Sequence, residues 1–190
     1  MLISITSTKL LNFFYVFHVG NGAGAPIDEI DYLCKQLHDN YVCASLDDST
    51  CDPYATSYSV SANWINFLET ENLTGEDIRN ECNAANSADS CAANACAIEG
   101  WFVYQRKSLT INSSYQHPTF DSTTCTSSNA VGNGGSRGDK ECCGSFPERR
   151  PFYNGGKACC ANIAVYNTVT KQCCSGTPVR YVNGSQFGVR

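Results

Sequence analysis

Charge is scarce in this chain. Asp, Glu, Lys and Arg together make up 16% of its 190 residues, and Ser, Thr, Asn, Gly and Tyr take over the surface role. Positive charge is especially thin, with thirteen Lys and Arg against eighteen Asp and Glu and a net charge of −5. The basic residues are scattered apart from the Arg149–Arg150 pair, so nothing meets a phosphate backbone and nucleic acid is excluded as a partner. Long apolar runs are also missing: no stretch reaches the roughly 18–20 residues needed to cross a bilayer. Histidine is rare, three in all and none among residues 138–190.

Cysteine is the opposite case. Thirteen cysteines are far more than a glutathione-buffered compartment keeps paired, so the composition points to an oxidising environment. Three N-x-S/T sequons, at Asn72, Asn112 and Asn183, are the glycan sites that an exported chain carries. Both features imply a secreted, extracellular protein.

The first 25 residues have two incompatible readings. Leu10–Val19 is a ten-residue apolar stretch after Lys9, followed by the small residues Gly20 to Ala25. That is the shape of a signal peptide with an A-x-A site at Ala23–Ala25. The same glycines also serve the ion-binding loop described below, in which case the segment is retained.

From Pro26 onward, Ile27, Ile30, Leu33, Cys34, Leu37, Tyr41 and Leu46 recur near a 3.6-residue period, with Asp28 and Glu29 placed for a first turn. A helix is expected there. A turn follows at Cys51–Tyr54, then an extended loop or short strand pair over Tyr54–Asn63. A second helix is expected from Ser87 or Ala88 through Arg106, weakened in its middle by Gly100. Residues 122–138 have the glycine- and serine-rich composition of a linker. The chain therefore divides into an N-terminal segment (1–25), a helical domain (26–121), the linker (122–138) and a tail (139–190).

The tail carries three cysteine doublets, Cys142-Cys143, Cys159-Cys160 and Cys173-Cys174, separated by 15 and then 12 residues. Adjacent cysteines bond to each other only in a strained ring, so each doublet is expected to pair outward to two partners. Structural zinc sites favour C-x₂₋₄-C spacing and His, neither of which occurs here. Bridges in so short a segment stand in for a core that it is too small to build.

Within the first part, His18-Val-Gly20-Asn-Gly22-Ala23, the pair His38-Asp39 inside LCKQLHDNY, Cys51 heading CDPYATSYS, and Cys82, Cys91, Cys96 and Glu99 fall in one register. In this the region from about His18 to Cys125 resembles the secreted phospholipases A2. The resemblance implies a mainly α, disulfide-rich fold with two disulfide-linked antiparallel helices. It also implies an N-terminal helix in the first 17 or so residues, and bridges Cys51–Cys91 and Cys82–Cys96. It further implies calcium held by His18, Gly20, Gly22 and Asp39, and His38 as general base on water attacking an ester carbonyl. Glu99 would stand where the family has the Asp that orients the imidazole. Departures are Glu99 itself, Val42 in place of a tyrosine and Ala23 in place of a glycine.

The tail resembles the double-cysteine repeats of galaxin-like matrix proteins in its CC-G start, Pro-aromatic turn and tyrosine ahead of the next doublet. This implies a small irregular or β module. With the doublets using six cysteines and the two implied bridges using four, Cys34, Cys43 and Cys125 form an odd set. One of them is then unpaired or bonds another chain.

Two functions follow. The first is a secreted structural or interaction protein of an extracellular assembly or matrix, partnered by other extracellular proteins or by itself. The second is a secreted calcium-dependent phospholipase A2 that hydrolyses the sn-2 ester at a phospholipid surface.

Overall fold

In a computed structural model, residues 2–6, 29–109, 138–174 and 177–180 are described. The linker up to residue 137, Cys125, His18, Gly20, Gly22, Asn112 and Asn183 lie outside them.

Strand β1 (Leu2–Thr6) pairs antiparallel with β2 (Ser57–Ser61), Leu2 opposite Ser61 and Thr6 opposite Ser57. The N-terminal helix implied by the phospholipase resemblance is thus a strand over Leu2–Thr6. Helix α1 spans Glu29–Asp47. Its inward residues Ile30, Leu33, Leu37, Tyr41 and Ala44 are buried at spacings of three and four, the stripe that a 3.6-residue repeat lays along one face. A short α2 (Trp64–Leu68) and α3 (Gly75–Ala85) follow.

Helix α3 was not among the expected elements. Thr74 caps it: its hydroxyl accepts from the Asp77 amide, and the Asp77 carboxylate accepts from the Thr74 amide. This reciprocal box satisfies amides that the first turn leaves unbonded. Only Ile78 and Cys82 of α3 are buried, so its apolar signal is faint.

Helix α4 (Ser90–Arg106) begins after Asp89, whose side chain accepts from the Ala92 amide at 3.0 Å. It is buried over Ala92–Gly100 except at Asn94, and α1, β2 and α3 all pack against it. A helix surrounded on several sides needs small residues, which its alanines supply. Gly100 has the same role: a Cβ there would lie 2.7 Å from Cζ2 of Trp64 and 3.1 Å from Cγ2 of Ile78. The glycine that weakens the helix locally makes room for the indole.

Among the described residues the tail forms three hairpins. Strands β3 (Lys140–Cys143) and β4 (Arg150–Tyr153), β5 (Lys157–Cys160) and β6 (Ala164–Asn167), and β7 (Lys171–Cys174) and β8 (Thr177–Arg180) pair antiparallel. Each hairpin opens on the same pattern: KECC, KACC and KQCC. Gly144 turns the first at φ +103°, where an added Cβ would sit 2.9 Å from the Glu148 carbonyl oxygen, so only glycine fits.

Five disulfides join ten of the cysteines among the described residues. Cys51–Cys91 ties the segment after α1 to α4, and Cys82–Cys96 ties α3 to α4. In the tail, the second cysteine of each doublet bonds the first of the next: Cys143–Cys159, then Cys160–Cys173. The remaining member of the first doublet, Cys142, bonds Cys43 of α1 across 99 residues. This corrects the expectation that Cys43 belongs with Cys34 and Cys125 in an odd set outside the doublets. In this ladder, α1 takes the place of a preceding repeat.

The first hairpin is consequently seated on α1. The Arg149 guanidinium lies against Asp47, Nη2 donating to Oδ1 at 2.9 Å and Nε lying 2.7 Å from Oδ2. Its Nη1 donates to the Gly144 carbonyl, and its backbone amide donates to Oδ1 of the buried Asn40 at 2.9 Å.

Candidate functional site

Helix α1 presents Leu37 and Tyr41 to α4. Successive residues turn by about 100° on a helix, so His38, one step past Leu37, leaves that face for its edge. There its Nδ1 lies 3.0 Å from the phenol oxygen of Tyr54, while the Tyr54 ring packs edge-on against Tyr41 with centroids 4.6 Å apart. Asp39 is a further step around. Its Oδ2 accepts from the Lys35 ammonium at 2.6 Å, an i,i+4 pair.

Glu99 is buried, 3% exposed. Its Oε1 accepts from the Tyr41 hydroxyl at 2.6 Å and its Oε2 from the Tyr58 hydroxyl at 2.8 Å. Tyr41 comes from α1, Tyr58 from β2 and Glu99 from α4, so one carboxylate draws three elements together. A buried carboxylate needs such donors, because an unsatisfied one is costly to desolvate. The phenols respond in turn: burial, and then the nearby Glu99 charge, push both tyrosines well above the ordinary range. Both stay protonated donors.

The implied pairing of His38 with Glu99 is therefore not the arrangement found. Glu99 faces the Leu37–Tyr41 stripe, and His38 engages Tyr54. Tyr41 belongs to the apolar stripe of its helix and Tyr58 to a polar extended segment, and neither pattern says anything of the phenol tip. A signal was present: Glu99 lies in an alanine-rich run, and a carboxylate that such a helix buries calls for donors on its neighbours.

Three of the four positions that the resemblance gives to calcium, His18, Gly20 and Gly22, lie outside the described residues. The fourth, Asp39, already carries a lysine. Among the described residues no cluster of three His, Cys, Asp or Glu side chains is placed to hold a metal ion.

Two clefts lie elsewhere. One, of about 870 Å³, runs between the start of α3 and the first two hairpins, lined by Glu76, Arg79, Phe146, Phe152, Lys157 and Val165 among others. The other, of about 410 Å³, is bordered by Asp47, Asn80, Asn94 and Arg149. His38, Asp39 and Glu99 line neither. Among the described residues, no helix is long and apolar enough to cross a membrane.

Comparison with known protein families, with curated proteins and with solved structures finds no match to this chain.

Proposed function

We propose that this chain is a secreted structural or interaction protein of an extracellular assembly, in which a phospholipase A2-like helical scaffold anchors a galaxin-like cysteine-doublet module. The observation that carries this reading is the ladder Cys43–Cys142, Cys143–Cys159, Cys160–Cys173. It converts a segment with little interior into a stiff extension of α1, which suits a part that bears contacts. The polar groups of the former site serve the scaffold: Glu99 clamps α1 and β2 through two phenols, and Asp39 pairs with Lys35. Five disulfides fit an oxidising compartment.

The second reading, a calcium-dependent phospholipase A2, draws on Cys51–Cys91 and Cys82–Cys96, the two bridges that the resemblance implied. Hydrolysis of phospholipid vesicles in millimolar calcium separates the two, with His38→Gln as control. The scaffold reading expects no calcium-dependent turnover above buffer from either protein. Turnover that the substitution abolishes would establish the enzyme instead.

A further inference from the structure

Of the three sequons, Asn72-Leu73-Thr74 lies within the described residues, in the turn between α2 and α3. Asn72 is exposed and sits at φ 59°, the left-handed region that asparagine tolerates better than most residues. No hydrogen bond engages its side-chain amide among the described residues. The backbone on either side is fixed: the Leu73 amide donates to the Tyr104 hydroxyl at 2.9 Å, and the Thr74 amide donates to Asp77 at 2.8 Å. The turn is therefore a rigid mount with one outward-facing, unengaged amide. A folded domain tolerates a bulky hydrophilic glycan only at such a place.

We infer that Asn72 carries an N-linked oligosaccharide. The donor is a polyprenyl-diphosphate-linked oligosaccharide. Nδ2 of Asn72 forms a bond to the anomeric carbon of the reducing-end sugar as that carbon's bond to the diphosphate oxygen breaks. The lipid diphosphate leaves with the electron pair, and the amide gives up one proton. The timing follows from Thr74. Its hydroxyl is what makes the tripeptide a sequon, yet in the fold that hydroxyl donates to Asp77 at 2.6 Å and caps α3. Transfer thus precedes closure of the α3 cap, while the hydroxyl is still available. Once attached, the glycan stands three residues before Gly75, whose surroundings include Pro147 of the first hairpin, at the rim of the larger cleft.

The inference rests on export but not on the assembly reading. The test uses the full chain recovered from the medium of glycosylating eukaryotic cells, digested with peptide-N-glycosidase F and mapped by mass spectrometry. Asn72 is expected to appear as Asp after digestion, and Asn72→Gln to migrate as a protein lacking one glycan. Thr74→Asp separates folding from modification, since Asp caps helices as well as Thr but destroys the sequon. It is expected to be secreted with its disulfides formed and with Asn72 unmodified, while Thr74→Ser keeps the glycan. Secreted wild-type chain with Asn72 recovered as plain asparagine would overturn the inference without touching the hydrolysis result.

Discussion

The helical part and the hairpin tail are held by different forces. Around α4 a continuous interior forms from Tyr58, Val60, Trp64, Leu68, Ile78 and the α4 alanines, with Leu37, Tyr41 and Ile98 adjoining. In the tail, by contrast, the buried apolar residues among those described are Cys143, Pro147, Phe152 and Cys160, while Ile163 and Val165 are exposed at 74% and 41%. Burial of side chains at about 25 cal/mol per Å² stabilises the first. The second has little to bury, and its bridges act mainly by restricting the unfolded chain. The same sulfur chemistry therefore has two uses: a supplement to a core, and a substitute for one.

The largest effect is expected where the two regions join. Replacing Cys43 and Cys142 together by Ala removes a cross-link spanning 99 residues and should cost roughly 3–5 kcal/mol. Because Arg149 and Asn40 still connect the parts, the first hairpin should loosen from α1 while the helices persist. Amide exchange in β3 and β4 against that in α4 reads this directly. Next comes the polar centre of the helical core. Tyr41→Phe leaves Glu99 with one fewer donor and should lower stability by about 1–3 kcal/mol in denaturant unfolding, with no effect on hairpin exchange.

Gly100→Ala tests how tightly that core is packed. Better helix propensity offers about 1 kcal/mol, but the methyl would meet the Trp64 ring at 2.7 Å, and overpacking costs roughly 1–3 kcal/mol. A small net loss is expected, read as a lower unfolding midpoint. The mildest perturbation is alkali. Tyr41 and Tyr58 titrate above their unfolded range, whose value is about 10, so the stability tied to their protonated forms is complete below that pH. It declines as pH rises toward the folded values. Phenolate absorbance should show exposed tyrosines ionising first, with these two silent until the helical part unfolds.

The contrast also explains what the sequence reveals. Helices α1 and α4 are legible because their burial is periodic, although α4 begins only at Ser90, where Asp89 supplies the cap. Helix α3 escapes notice because two buried residues, Ile78 and Cys82, leave hardly any period, and its start is written in hydrogen bonds from Thr74 and Asp77. In the tail the spacing of doublets shows that they pair outward but not to what. That Cys43 rather than another doublet receives Cys142 depends on how Arg149 and Asn40 seat the first hairpin, a contact between residues over a hundred positions apart. At the site, residue types were readable but facing was not. One residue of helix separates Leu37, which faces α4, from His38, which does not, and dipeptide spacing carries no information about that rotation.

Stepwise reduction followed by amide hydrogen exchange tests most directly whether core and cross-links divide the work in this way. Under mild thiol treatment with alkylation, amides of Lys140–Cys174 should lose protection, while those of α1 and α4 around Leu37, Tyr41 and Ile98 retain most of theirs. Hairpins that stay protected with every tail cysteine alkylated, or helices that lose protection in the same step, would contradict the account.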